Sequence, residues 1–269
     1  MLAACLCFKD SAAYLDEWLR FHFVQGFRRF YLYNNGSTDD WRQRIAGWIR
    51  GGWVVARDFP GLGVQARIYD DCLAAARGEA AWLAFLDDDE FLFPASDGSL
   101  AGVLERYGAH AGVAVSWMIY GSSGAAAAEP RWVTERFLRR AAGADNHVKC
   151  VVRPERVVRS HVIGHAFVPA GGFDIVDESG RPISEPLSPS PSAQVLRINH
   201  YMVKSWEEWR LRRSRPQADS GIPNIHPESS WRQWDEAWSS VEDRSALRFL
   251  QAMRDCTAGG GPAWRCGVD

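Results

Sequence analysis

The run Asp87-Asp88-Asp89-Glu90 is where this sequence concentrates its chemistry. Apolar runs flank it, Leu83-Ala84-Phe85-Leu86 before and Phe91-Leu92-Phe93 after. Neighbouring carboxylates repel one another and resist burial, and a divalent cation relieves both problems. Along an extended chain, Asp87 and Asp89 face one way and Asp88 the other, so a D-x-D at a strand end offers two carboxylates to one ion. Mn²⁺ or Mg²⁺ suits such oxygen ligands and can bridge a diphosphate. The competing reading is an exposed acidic turn that caps a following element; the apolar flanks count against it.

Cationic and imidazole groups could complete such a site. Lys9, Lys149 and Lys204 are the only lysines among 31 basic residues. The arginine, alanine and glycine bias looks like codon usage, which draws attention to the three retained lysines. His200 follows an apolar strand, Val195 to Ile198, and precedes a helix start at Ser205. It is the third metal-ligand candidate, with a hydrogen-bonded core histidine as the plainer reading. Arg212, Arg213 and Arg215 read as a solvated basic face.

These residues must be positioned by the elements between them. Leu2 to Phe8, Arg29 to Tyr33, Trp53 to Arg57, Ala81 to Leu86 and Gly112 to Tyr120 read as strands. Leu15, Trp18, Leu19, His22 and Phe23 form one helical stripe ended by Gly26, and a helix is expected from about Asp39 to Arg50. Ile68, Tyr69, Cys72, Leu73 and Ala76 mark another helical face. Alternating strands and helices argue an α/β fold with a mostly parallel central sheet flanked by helices. Ligands bind such sheets at the carboxyl ends of the strands, where both Asn34 to Asp40 and Asp87 to Glu90 fall.

Val148 to Val152 and Val195 to Met202 are further strands, and Gly171 to Ser192 is a surface loop. Ser205 with Glu208 forms a capping box. A helix through Trp231, Trp234 and Trp238 and a last one over Val241 to Met253 follow. The organisation is a catalytic domain over 1–204 and a C-terminal helical extension, 205–269, packed on it. The tryptophans Trp206, Trp209, Trp231, Trp234 and Trp238 either pack these helices onto the sheet or present an aromatic surface to sugar rings or a membrane.

The 269 residues suit one large domain. A formal net charge of −2 provides no field that would draw the chain to nucleic acid. Six cysteines without a CxxC pair argue against a zinc site and fit buried thiols in a reducing compartment; Cys256 and Cys266 are close enough in sequence to pair. No stretch reads as a signal peptide or a membrane span. A cytoplasmic protein is expected, with peripheral contact at the inner membrane face as an extension of the tryptophan reading.

Trp82-Leu83-Ala84-Phe85-Leu86-Asp87-Asp88-Asp89-Glu90-Phe91 resembles the W-x-x-F-x-D-x-D-E-F signature of glycosyltransferase family 92 and related bacterial family-2-like glycosyltransferases. Four other segments agree in order. Glu17-Trp18, His22 and Gly26 resemble the E-W-x-x-x-H-x-x-x-G helix. Tyr33 to Asp39 resembles the Y-x-N-x-S-x-D turn, and Val148 to Pro154 the V-K-x-I-V-R-P strand. His200-Tyr201 with Lys204-Ser205 and Glu207-Glu208 resembles H-Y-x-x-K-S-x-E-E. The likeness covers about residues 1 to 215. Lys9-Asp10-Ser11 stands where K-N-E is usual, and Arg215-Pro216 where R-G is.

The resemblance implies a GT-A fold and transfer of a hexose, with inversion, from a nucleotide-sugar to a glycan or lipid-linked acceptor; UDP is the nucleotide it favours. It implies that Asp39 contacts the nucleoside, though Asp39 also reads as the N-cap of the helix after it. Asp87 would hold the ribose or assist the metal, Asp89 would ligate it with His200, and Asp88 and Glu90 would line the donor site. Lys9, Lys149 and Lys204 would contact phosphate or sugar, Lys204 beside the helix N-terminus at Ser205. Inversion requires a general base on the acceptor side. Glu135, Asp145, His147 and Asp174 lie in that part of the chain, with Glu135 and then Asp174 taken first. An ion pair to Arg139 is the alternative use of Glu135.

Rival readings fit less well. A haloacid-dehalogenase-like phosphotransferase requires D-x-D-x-[TV], which Asp87 to Phe91 lacks. A nucleotidyltransferase requires a glycine-rich loop where Lys9-Asp10-Ser11 stands. A carbohydrate- or nucleotide-sugar-binding module without activity is the non-enzymatic alternative.

Overall fold

The computed structural model describes residues 1–161, 164–213, 220–222 and 226–256. In chain order the first half runs β1 (Leu2–Phe8), α1 (Ala12–Val24), β2 (Phe27–Asn34), α2 (Trp41–Arg44), α3 (Ala46–Arg50), β3 (Val54–Asp58), α4 (Gln65–Ala76), β4 (Trp82–Phe85), β5 (Glu90–Pro94), α5 (Leu100–Leu104) and β6 (Gly112–Ile119). The second half runs α6 (Val133–Arg136), β7 (Arg139–Arg140), β8 (Val148–Val152), β9 (Val157–Ser160), β10 (Phe167–Pro169), β11 (Ile175–Val176), β12 (Leu196–His200), α7 (Trp206–Arg212), α8 (Glu228–Ala237), β13 (Val241–Glu242) and α9 (Leu250–Asp255).

The α/β class holds, but the sheet is more mixed than the sequence suggests. The order is β3-β2-β1-β4-β8-β6-β12-β5, with β11 beside β6. The first four strands are parallel. Next, β8 runs antiparallel to both β4 and β6, and β5 antiparallel to β12. An apolar strand buried on both faces has no feature that encodes its direction, so the reversal of β8 was not legible.

The carboxyl ends of β1, β2, β4, β6 and β12 therefore open on one edge of the sheet. The amino end of the reversed β8 joins them there, which brings His147 and Lys149 to the same edge. The core on either face is built as the patterns require. All of β1 is buried, and the α1 stripe Leu15, Trp18, Leu19, His22 and Phe23 is sunk into the larger apolar cluster. Gly26 adopts φ +98°, a left-handed conformation that glycine takes without strain.

Two expected helices are broken. The one expected from Asp39 to Arg50 is α2 and α3, divided at the buried Ile45. Asp39 does not cap it: its Oδ2 instead accepts a hydrogen bond from Ala12 N, 2.8 Å away, at the start of α1. The one expected over Val241 to Met253 is β13, a 3₁₀ turn over Ser245–Phe249 and α9. Here Asp243 is drawn to Arg140 and Arg197, at 2.5 and 2.6 Å, and Val241–Glu242 pairs with β7. Among the described residues after 205, β13 pairs with β7 and α9 lies against α1.

The five described cysteines are buried and unbridged; Cys266 lies outside the described residues, as do Arg215 and Pro216. Among the described residues, no helix is long and apolar enough to cross a membrane.

Candidate active site

The acidic run is a tight turn, not an extended strand end, because Glu90 N donates to Asp87 O at 3.1 Å. The alternation expected of Asp87, Asp88 and Asp89 therefore does not apply. Each carboxylate has its own neighbourhood.

The backbone of the turn is held from two sides. Trp18 Nε1, from α1, donates to Asp87 O (3.0 Å) and Glu90 O (3.1 Å). Tyr201 N donates to Asp89 O at 2.8 Å. Trp18 is itself placed by the buried His22, whose Nδ1 meets Trp18 O at 2.9 Å while Nε2 accepts from Leu92 N at 3.2 Å. Those partners require the neutral ring, and burial lowers its pKa to about 3. His22 is a positioning residue, two steps behind the carboxylates.

The side chains divide the cluster by charge. Lys149, 1% exposed, reaches Asp87 Oδ2 at 2.9 Å and Glu90 Oε2 at 3.6 Å. Burial works to raise Asp87, but Lys149 and its neighbours outweigh it and hold this carboxyl below its usual range. Burial dominates at Glu90, which keeps its proton well above the ordinary value of 4.5 despite Lys149. Asp88 accepts a hydrogen bond from Ser11 Oγ.

Asp89 is fully buried and lies under two cations and an imidazole. Arg212 pairs with its Oδ2, Lys204 Nζ stands 3.4 Å from the same oxygen, and His200 Nε2 is 3.4 Å from Oδ1. Burial opposes ionisation of Asp89, but Arg212, Lys204 and His200 together hold it well below the usual range. Arg212 is thus part of the site and not the solvated face expected of it. Lys204 takes φ +53°, uncommon for a non-glycine residue, and its ammonium sits 4.5 Å from the centre of the Tyr14 ring.

A metal fits this arrangement on one observation. Asp89 Oδ1 and both His200 nitrogens are buried without a hydrogen bond of good geometry, and Oδ1 and Nε2 face each other at 3.4 Å, an ion-pair distance. Buried polar atoms are rarely left so. Among the described residues, no three His, Cys, Asp or Glu side chains form a closed cage, so a cation here would take its remaining ligands from a bound molecule and water.

The turn opens on a cleft of about 610 Å³. Asp87 and Asp88 line it. Lys9, Ser11 and Asn35 stand toward the β1–β2 side, and Trp117, Asp145, His147, His165 and His200 toward the β8–β6–β12 side. His147 Nδ1 lies 2.7 Å from Asp145 Oδ1, and its ring stacks on Trp117 with centroids 4.9 Å apart and planes 15° from parallel.

Two expected residues fall elsewhere. Glu135 borders a separate, smaller pocket and pairs with Arg254, not with Arg139. Asp174 is exposed beside Ala111, at the opposite end of β6 from the cleft. Neither lines the cleft at the acidic turn. Position in the chain misled here because β11 returns to the amino end of β6. Asp39 is not among the lining residues, although its Oδ1 is buried without a partner.

The model of Glycosyltransferase family 92 matches residues 2–215. The chain belongs to glycosyltransferase family 92. Members from Ricinus communis and Oryza sativa subsp. japonica are each 25% identical, over 224 and 214 residues; each match takes in 78% of this chain and 36% or 34% of the relative. The chain thus spans about a third of the length of the curated relatives it matches.

Among solved structures, S. aureus TarS with UDP-GlcNAc is similar at a TM-score of 0.38 and 12% identity, covering 57% of this chain and 45% of that one. The galactosyltransferase LgtC with donor and acceptor sugar analogues is similar at a TM-score of 0.35 and 12% identity, covering 93% and 99%.

Family membership, with an α/β sheet that carries an acidic turn after its central strand, makes this a GT-A domain. The family segments converge on that turn. The E-W helix supplies Trp18, which pins it, and Glu17, which holds α6 by accepting from Val133 N, Thr134 N and Thr134 Oγ1 at 2.8, 3.0 and 2.7 Å. The V-K strand supplies Lys149 and the H-Y-x-x-K-S segment His200 and Lys204.

Within that last segment, Ser205 and Glu208 form the expected capping box, and Glu208 also takes a bidentate bond from Arg136. Tyr14, Gln65, Trp117 and His165 complete the cleft without a signal in their spacing.

Proposed function

We propose that this domain transfers a hexose from a nucleotide-sugar, with UDP as the nucleotide, to a hydroxyl of a glycan or lipid-linked acceptor, in a metal-dependent and inverting reaction. The observation that carries the proposal is Asp89. Its buried Oδ1 faces His200 Nε2 at 3.4 Å with no hydrogen bond formed by either atom, while Lys204 and Arg212 crowd its other oxygen beside an open cleft. Asp89 and His200 would hold Mn²⁺ or Mg²⁺, with Asp87 supporting. The bound ion would neutralise charge on the departing diphosphate.

The protein's own groups have separate work. Lys204 and Arg212 stabilise the negative charge that develops as the bond between the sugar carbon and the diphosphate breaks. Lys149 holds Asp87 in its ionised, oriented form. Lys9 and Asp88 meet the donor along the β1 side.

Of the four candidates for the general base, Asp145 and His147 line the cleft. His147 takes the proton of the acceptor hydroxyl as its oxygen attacks the sugar carbon from the face opposite the diphosphate. Asp145 orients the ring and supports the imidazolium that forms. Trp117 fixes the ring plane by stacking.

The test is nucleotide release from a panel of UDP-sugars, with Mn²⁺ and with EDTA, for wild type and Asp89→Ala. The proposal expects release that needs the metal and disappears in the variant. Attack on phosphomonoesters in place of UDP-sugars would point to a phosphotransferase. Binding of UDP-sugar without any release would point to a non-catalytic module.

A further inference from the structure

The tryptophans of α7 and α8, with Trp238 just past α8, form a continuous aromatic wall. Trp206 and Trp209 stack with centroids 5.4 Å apart and planes 18° from parallel, and Trp234 and Trp238 at 5.7 Å and 25°. Trp209 and Trp234 join the pairs edge to face at 6.4 Å. Trp209, Trp234 and Trp238 line the same cleft as Asp87 and Asp88.

Trp209 is buried and Trp238 packs against the core, while Trp206 and Trp234 are partly exposed. Helix α8 has no buried residue at all. A helix that keeps two large aromatic rings half-exposed, with a third just past its end, leaves apolar surface in water unless a ligand covers it. Polar contacts join these aromatic ones in holding α8. Gly121 N donates to Trp238 O at 2.8 Å, and Ser122 N donates to Asp235 Oδ1 at 2.6 Å. A Cβ on Gly121 would lie 2.9 Å from Trp238 O and 2.8 Å from Asp235 Oδ1, so this close seat admits only glycine. The chain just past β6 is thus built to bring α8 against the cleft.

The wall stands on one side of the acidic turn. The turn follows β4, in the middle of the sheet. Lys9, Ser11 and Asn35 lie toward β1 and β2, whereas α8 is anchored just past the end of β6, on the side of Trp117, Asp145 and His147. With the nucleotide on the β1–β2 side, the wall is left to the second substrate. Residues after 215 lie outside the family match, so nothing in that match accounts for α8.

We propose that Trp209, Trp234 and Trp238 form a subsite for a saccharide ring of the acceptor. A pyranose has apolar C–H faces and a rim of hydroxyls. It therefore needs a flat aromatic surface with hydrogen-bonding groups at the edges. The wall supplies the first, and Asp145, His147 and Arg213 on the same cleft supply the second. A lipid surface would need a convex, outward apolar patch; these rings face into a cleft. The assignment rests on the glycosyltransferase reading for the position of the donor.

The test is saturation-transfer NMR with cellotetraose, chitotetraose, maltotetraose and β-1,4-galactotetraose, run on wild type, Trp234→Ala, Trp234→Phe and Gly121→Ala, with thermal melting as the check on folding. Transfer to ring C–H protons is expected in wild type. Trp234→Ala should weaken affinity by about two- to tenfold, and Trp234→Phe should recover part of it. Gly121→Ala should weaken it too, by displacing α8.

No transfer to any of the four sugars would overturn the subsite, as would a saccharide affinity left unchanged by Trp234→Ala. Sedimentation with phosphatidylglycerol vesicles that Trp234→Ala abolishes, without a saccharide signal, would assign the wall to a membrane and overturn it as well. A wild type that binds saccharide yet releases no nucleotide from UDP-sugars keeps the subsite and sinks the transferase reading. One that releases nucleotide and binds no saccharide does the reverse.

Discussion

Replacing Lys149 by methionine should expose how the acidic turn survives burial. Lys149 is 1% exposed and lies 2.9 Å from Asp87 and 3.6 Å from Glu90. Methionine keeps most of its volume and removes its charge. Breaking a buried ion pair from one side costs about 3–5 kcal/mol. The Asp87 side chain is 28% exposed and can recover some hydration, whereas Glu90 is fully buried. The low end, about 3 kcal/mol, is therefore expected, or roughly 6–12 °C of melting temperature for a chain of this size.

Glu90 sets the pH dependence. Its folded-state pKa is raised, so its contribution to stability is present below the ordinary 4.5 and drains away as pH rises through the raised value. Lys149 is the largest charge opposing that rise, so its loss pushes Glu90 higher still. The deficit of Lys149→Met should thus be greater at about pH 8 than at about pH 5. Adding Glu90→Gln, which keeps an acceptor for Asp87 N, should return about 1–3 kcal/mol and flatten the slope. Melting curves of the four proteins across pH measure all of this. A Lys149→Met deficit below about 1 kcal/mol, or strict additivity with Glu90→Gln, would refute the reasoning.

Three more outcomes are expected. Glu17→Gln turns an amide donor toward Val133 N or Thr134 N in a buried site and should cost about 1–3 kcal/mol by thermal melting. Because burial raises the Glu17 pKa to about 7, the stability this group contributes is lost between the ordinary 4.5 and about 7, and the variant should lack that window. Glu208→Ala strands Arg136, 4% exposed, and removes the α7 capping box; denaturant unfolding should show a loss of about 3–5 kcal/mol. His147→Ala should lower kcat for transfer by about 10²–10⁴-fold while UDP still binds, and an unchanged kcat would remove His147 as the base.

What was legible in the sequence was mostly local. The strand that delivers the acidic run, the α1 stripe and the Ser205–Glu208 box all follow from periodicity or capping chemistry, and each stands where its pattern indicates. The misreadings share a cause. Nothing in Val148–Val152 records that the strand runs backwards, yet that reversal carries Lys149 and His147 to the active edge and leaves Asp174 at the far end. Glu135 looked suitable by position and is held by Arg254 instead. Arg212 looked like part of a solvated face because α7 is short and charged. Its contact with Asp89 spans 123 residues, a distance that no local pattern can bridge.

The measurement that bears most directly on the account is calorimetric titration of UDP into wild type and Asp89→Asn, each with Mn²⁺ and with EDTA. The account predicts that Mn²⁺ tightens UDP binding by at least about tenfold in wild type, about 1.4 kcal/mol, and has no such effect in the variant. Equal affinity for UDP with and without Mn²⁺ in wild type, or the same gain from Mn²⁺ in Asp89→Asn, would contradict it.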